Sequence, residues 1–203
     1  MPSIQGAYDW AVYYCNKENV GYSQTYRNFQ TVNGITYFDC SSFTFFALWL
    51  GGGFDIGSLG WPTDLAGYQN RVDGRHNAWT VSSMDRNLPK LGFTLYNAPD
   101  VTWKPGDILS KTSKHTEICY ASPRRTMGAH NNKDKYGNPL PLQDQVSINP
   151  GNSSITAYNN CWRYDPDNPP VPPEPPTPIP PHESEPMPLW MMLKPYWKYF
   201  NHF

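Results

Sequence analysis

Charge of either sign is scarce in this sequence and nearly balanced: 203 residues carry 16 Lys and Arg against 17 Asp and Glu, a net charge of −1. A nucleic-acid binder gathers cations on one face, and no basic block is present here to do so. Nucleic acid is therefore not expected as a partner. Long apolar runs are missing as well. The longest, residues 43–50, is interrupted by Thr44 and stops at Gly51-Gly52-Gly53, far short of the roughly 20 residues that span a bilayer. The opening Met1-Pro2-Ser3-Ile4-Gln5 has no basic segment leading into an apolar one, so the expectation is a protein made in a cytoplasm without a secretory signal. Cysteine is limited to positions 15, 40, 119 and 161, with no Cys-x-x-Cys pair and no His at zinc-finger spacing. That pattern argues against a structural metal, and without an export signal it argues against disulfides. Reduced thiols, and neither a metal nor an organic cofactor, are expected.

Aromatic residues are abundant instead, with 14 Tyr, 9 Phe and 8 Trp. They supply core volume, and they suit a surface that stacks on sugars or peptides. Trp61, Tyr68, Trp79 and Trp103 are candidates either for such a groove or for the core. Proline is the other excess. It dominates residues 166–188, a composition that excludes helix and central strand and favours an extended polyproline linker. Residues 189–203 then form a short aromatic tail around Trp190, Tyr196 and Trp197, suited to docking on the chain's own surface or on a partner subunit. The domain proper is expected to be residues 1–165.

Within that domain, Ile4, Ala7, Tyr8, Ala11 and Cys15 recur at helical spacing, which makes Cys15 a core residue on a first helix. A loop from Gly21 to Asn33-Gly34 leads to Asp39, a good N-cap, and Cys40 then opens a buried helix that the triple glycine ends. Residues 54–76 read as surface loop. A third helix is expected over residues 79–91, and strands near residues 93–96, 107–110, 116–121, 126–130 and, in part, 154–164, as an antiparallel meander. Helices first and strands after give an α+β class.

The chemistry-bearing residues follow from these placements. A thiol attacks only as thiolate, and the N-terminal turn of a helix, where Cys40 falls, offers N–H groups and a positive dipole end to an anion. The adjacent Asp39 opposes this unless it is occupied in capping. A thiolate also needs a base, and histidine suits that task. His182 and His202 lie in the tail and His76 in a polar loop, which leaves His115 and His130. If their strands form a hairpin, the two meet at one end of it. A Cys and two His on their own equally fit buried or structural side chains, Cys119 included.

Three segments carry a resemblance: Asp39-Cys40-Ser41-Ser42-Phe43, Trp103-Lys104-Pro105-Gly106-Asp107-Ile108-Leu109 and His115-Thr116-Glu117-Ile118-Cys119-Tyr120. In order and spacing they resemble the NlpC/P60 papain-like cysteine peptidases. Val20-Gly21-Tyr22-Ser23-Gln24 with Arg27 further resembles bacteriophage peptidoglycan hydrolases. The resemblance covers most of residues 5–164. It implies a papain-like (CHAP-like) α+β fold, with N-terminal helices and the nucleophile helix packed on a small antiparallel sheet. It implies Cys40 as nucleophile, His115 as base and His130 as the third, orienting residue, with Glu117 as the alternative third member on the same strand face as His115. Tyr22, Gln24 and the helix start at Ser41 would serve substrate or oxyanion. The Tyr-x-Trp-Gly-Gly segment common in these families is absent, and Tyr22-Ser23-Gln24 stands in its place.

The implied activity is cleavage of an amide bond of bacterial peptidoglycan, as an N-acetylmuramoyl-L-alanine amidase or a stem-peptide endopeptidase, by a phage endolysin acting at the cell wall. A virion-associated tail lysin and an inactive wall-binding or structural module are the alternatives.

Overall fold

Ser3 ends an extended segment and starts the first helix, its hydroxyl accepting the Gly6 N–H at 3.1 Å. The computed structural model describes residues 1–70, 76–131, 133–134, 136–149 and 158–165. The chain divides into two units, Met1–Val171 and Pro172–Phe203; the second, and with it the expected linker and aromatic tail, lies outside the described residues. Helix α1 (Ile4–Asn16) buries Ile4, Ala7, Tyr8, Ala11 and Cys15, with Trp10 and Tyr14 widening the stripe, so the helical periodicity and the core placement of Cys15 both hold.

The expected loop before Asp39 is instead a small sheet. Strands β1 (Val20–Tyr22), β2 (Asn28–Val32) and β3 (Ile35–Phe38) lie in the order β1-β3-β2, with β1 parallel and β2 antiparallel to β3. The β2–β3 turn is Asn33-Gly34, both at positive φ, the conformation that a two-residue hairpin requires. Val20, Phe29 and Phe38 carry this sheet into the core, while Thr31, Ile35, Thr36 and Tyr37 stay partly exposed or exposed. The alternation is thus too short to have signalled a strand.

Asp39 leaves β3 and caps α2 (Cys40–Phe46), which runs on as one π-helical turn, Ala47–Gly51. Phe43, Phe45, Phe46, Ala47 and Leu48 are all buried, and a helix apolar on every side belongs at the centre of a domain. It packs on α1 along one flank and on the large sheet along another. Gly51 permits the first contact, because a Cβ there would collide with that of Trp10.

Residues 54–76 are not simply surface loop. They include α3 (Leu65–Gln69) and bury Phe54, Ile56, Leu65 and Tyr68. The expected third helix is shorter than residues 79–91. It is α4 (Val81–Asn87), opened by a Thr80–Ser83 capping box and closed by a 3-10 turn, Leu88–Leu91.

The remaining strands are β4 (Phe93–Asn97), β5 (Ile108–Lys111), β6 (His115–Ala121), β7 (Arg125–Ala129), β8 (Val146–Ile148) and β9 (Asn160–Tyr164), and a short helix α5 (Leu142–Gln145) precedes β8. They form one antiparallel six-stranded sheet in the order β4-β9-β5-β6-β7-β8. It is not a pure meander: β9, last in sequence, inserts between β4 and β5, and β8 with α5 had no counterpart in the sequence reading. Among the described residues no helix is long and apolar enough to cross a membrane.

Candidate active site

Cys40 occupies the first position of α2, where N–H groups have no intrahelical acceptor. What holds the helix start is a buried clamp on the preceding residue. Asp39 accepts the Ser42 N–H at 2.7 Å, and its own N–H donates to the Ser42 hydroxyl at 2.9 Å. Arg27, from the turn before β2, donates from Nε to Asp39 at 2.6 Å and from a terminal nitrogen to the Ser41 hydroxyl at 2.8 Å, and also caps the carbonyls of Ala78 and Trp79. The negative charge beside Cys40 is thus matched by a guanidinium and a helix end, which answers the objection that Asp39 would oppose a thiolate. Ser41 spends its side chain in this clamp, so only its backbone N–H is left to serve an oxyanion.

His115 opens β6 and His130 directly follows β7. The two antiparallel strands bring them to one end of the sheet, as the hairpin argument requires, with ring centroids 6.5 Å apart. They do not bond each other. Glu117, two residues after His115 and so on the same face of β6, stands between them. Its Oε1 lies 2.9 Å from His115 Nε2 and 2.8 Å from His130 Nδ1. The position of orienting partner to His115, expected first for His130, is therefore held by Glu117, and His130 stands behind it. His130 Nε2 in turn donates to the Ser147 carbonyl at 3.0 Å, and Asn149 donates to both Glu117 oxygens at 3.2 Å.

With Nε2 on Glu117, the His115 ring leaves its other nitrogen for Cys40, which lies close enough to shift the titration of His115. Burial opposes a charge on His115, but the bonds to Cys40 and Glu117 outweigh it and push its pKa from 6.5 up to about 10. Burial would likewise raise the Glu117 carboxyl, yet the bonds from His115 and His130 hold it well below the usual carboxylate range. The arrangement stabilises a protonated His115 beside the Glu117 carboxylate. Burial pushes the thiols of Cys15, Cys119 and Cys161 above the ordinary thiol range.

Tyr22 ends β1 within electrostatic reach of Cys40. Its hydroxyl accepts the Gln24 amide, and its N–H donates to the Gln145 side chain at 2.9 Å. The Tyr22 hydroxyl proton thus remains to donate toward the site, and Gln24 meets the site at Tyr22. Tyr158 was missed from sequence. Its ring stacks on His115 at 6.2 Å and 25°. Its hydroxyl is buried beside Glu117 with no hydrogen-bond partner among the described residues. Asn149, Ser147 and Gln145 were missed too, since each sits in a polar stretch with no pattern to mark it.

The aromatic groove is not found where it was sought. Tyr68, Trp79 and Trp103 are buried in the core, and Trp61 packs against it. Among the described residues, His115, Glu117 and His130 are the group whose ligand atoms converge, all within 4.8 Å of one another.

No protein-family profile matches this chain, and no curated protein does.

Proposed function

We propose that this chain is a cysteine amidohydrolase of bacterial peptidoglycan with a papain-like NlpC/P60 arrangement, acting as an N-acetylmuramoyl-L-alanine amidase or a stem-peptide endopeptidase. One observation carries the reading: Cys40 stands at the first turn of a buried helix, close enough to interact with His115, which the Glu117 carboxylate holds at 2.9 Å. An inert thiol and two structural histidines need no such alignment. The wall as substrate comes from the resemblance of the segments around Tyr22, Cys40 and His115 to phage wall hydrolases.

In the mechanism, His115 takes the Cys40 proton and the thiolate attacks an amide carbonyl carbon. The Cys40 and Ser41 N–H groups, with the Tyr22 hydroxyl, face the developing oxyanion. The His115 imidazolium, kept in orientation by Glu117, passes its proton to the departing amine, leaving a thioester. Water, deprotonated by His115, hydrolyses that thioester and restores the thiol. The chemistry requires no metal.

The test is digestion of purified peptidoglycan with wild type and Cys40→Ala, with released ends identified by mass spectrometry and amine labelling. The expected result is a new amino end with wild type alone: N-terminal alanine for an amidase, another residue for an endopeptidase. Equal products from both proteins, or none from any wall chemotype, would sink the reading.

A further inference from the structure

One acceptor on Nε2 is enough to orient His115, and Glu117 is that acceptor. The structure adds a second imidazole nitrogen against the same oxygen and fixes that ring from behind, through the bond from His130 Nε2 to the Ser147 carbonyl. Two of the three side chains have an outer partner: Ser147 O for His130 and Asn149 for Glu117. Metal-binding histidines are supported in this way, with the far ring nitrogen given to a carbonyl or a similar group. A second, independent feature sits at the same place. The Tyr158 hydroxyl, on a residue only 3% exposed, lies against Glu117 without a hydrogen bond to any described residue, while its ring covers His115. A buried hydroxyl in that state is unfavourable unless something outside the described residues completes it.

We propose that His115 Nε2, the Glu117 carboxylate and His130 Nδ1 form a site for a divalent ion of the zinc class, next to the Tyr158 hydroxyl, and that the ion switches the Cys40–His115 pair off. Two imidazoles and a carboxylate are a donor set that suits zinc. Bonds of about 2.1 Å at tetrahedral angles separate ligand atoms by roughly 3.4 Å. The present separations from Glu117, 2.9 and 2.8 Å, need small outward shifts to reach that, and the three ligand atoms lie within 4.8 Å of one another. The partly exposed His115 and His130 side chains give the ion access from solvent. Binding forms three metal–ligand bonds and releases to solvent the protons shared between Glu117 and the two rings, with no change of oxidation state. A metal-bound imidazole keeps at most its Nδ1 proton and gives it up far less readily than an imidazolium, so delivery of a proton to the leaving amine stalls. The switching half rests on the hydrolase reading; the site itself does not.

The experiment is calorimetric titration of the untagged, chelator-treated full chain with Zn2+ alone, repeated on Cys40→Ala and His130→Ala, together with the absorption spectrum of the Co2+-loaded protein. Binding at one ion per chain is expected in wild type and Cys40→Ala, weakened at least about tenfold in His130→Ala, with Co2+ bands free of sulfur charge transfer. Wall digestion should fall along the same Zn2+ curve and return on chelation. Absence of saturable binding in wild type would overturn the site, as would a sulfur-to-cobalt band lost in Cys40→Ala. The cobalt spectrum of wild type decides even if His130→Ala does not fold. Binding without any wall hydrolysis in the metal-free protein would refute the hydrolase reading, and with it the switch, while upholding the site.

Discussion

At Glu117 two imidazole nitrogens and an amide meet one buried carboxylate, and the protonation of His115 depends on that charge. Glu117→Gln keeps the shape and removes the anion. Amide hydrolysis should fall by about 10²–10⁴-fold, the range for loss of a general acid–base or orienting group. The alkaline limb of the rate, set in wild type by a His115 pKa of about 10, should shift toward the ordinary histidine range. A pH–rate profile of both proteins checks this; an unshifted limb would mean that Glu117 only supports structure. Cys40 and His115 stood out in the sequence as candidates because a thiol after an N-cap and a histidine at a strand start are local patterns. The sequence ranked His130 above Glu117 because strand alternation puts Glu117 beside His115 but says nothing of which side chain reaches the far ring nitrogen.

The element that positions the nucleophile is α2, and its start is fixed by the Arg27–Asp39 pair, whose side chains are 10% and 6% exposed. Arg27→Ala would leave the Asp39 carboxylate buried without its counter-charge, and loss of one partner of a buried pair costs about 3–5 kcal/mol. Denaturant unfolding should show a loss of that order, whereas a change below about 1 kcal/mol would mean that the helix end alone supports Asp39. Long periodic elements such as α1 and α2 were legible in the sequence. The small sheet β1–β3 was not, because its strands are three to five residues long and bury few side chains. The place of β9 between β4 and β5 is a tertiary pairing that no local pattern records, and α5 and β8 are too short to give a period.

For the molecule as a whole, the His115–Glu117 interaction links stability to pH. The folded pKa of His115, raised from 6.5 to about 10, contributes stability that is fully present below about pH 6.5 and is lost as pH rises through 10. The depressed pKa of Glu117 contributes stability present above its ordinary value of 4.5 and lost as pH falls toward its folded value. Thermal unfolding should therefore show this contribution at its greatest between about pH 4.5 and 6.5, and Glu117→Gln should flatten the profile on both sides; an equally peaked variant would place the linkage elsewhere. The measurement that tests the central claim most directly is iodoacetamide labelling of the native protein at pH 6, read cysteine by cysteine by peptide mass spectrometry. Cys15, Cys119 and Cys161, buried as Cys40 is and away from the histidines, are internal controls. The account predicts modification at Cys40 alone, slowed by Glu117→Gln. A Cys40 as inert at pH 6 as the other three would contradict it.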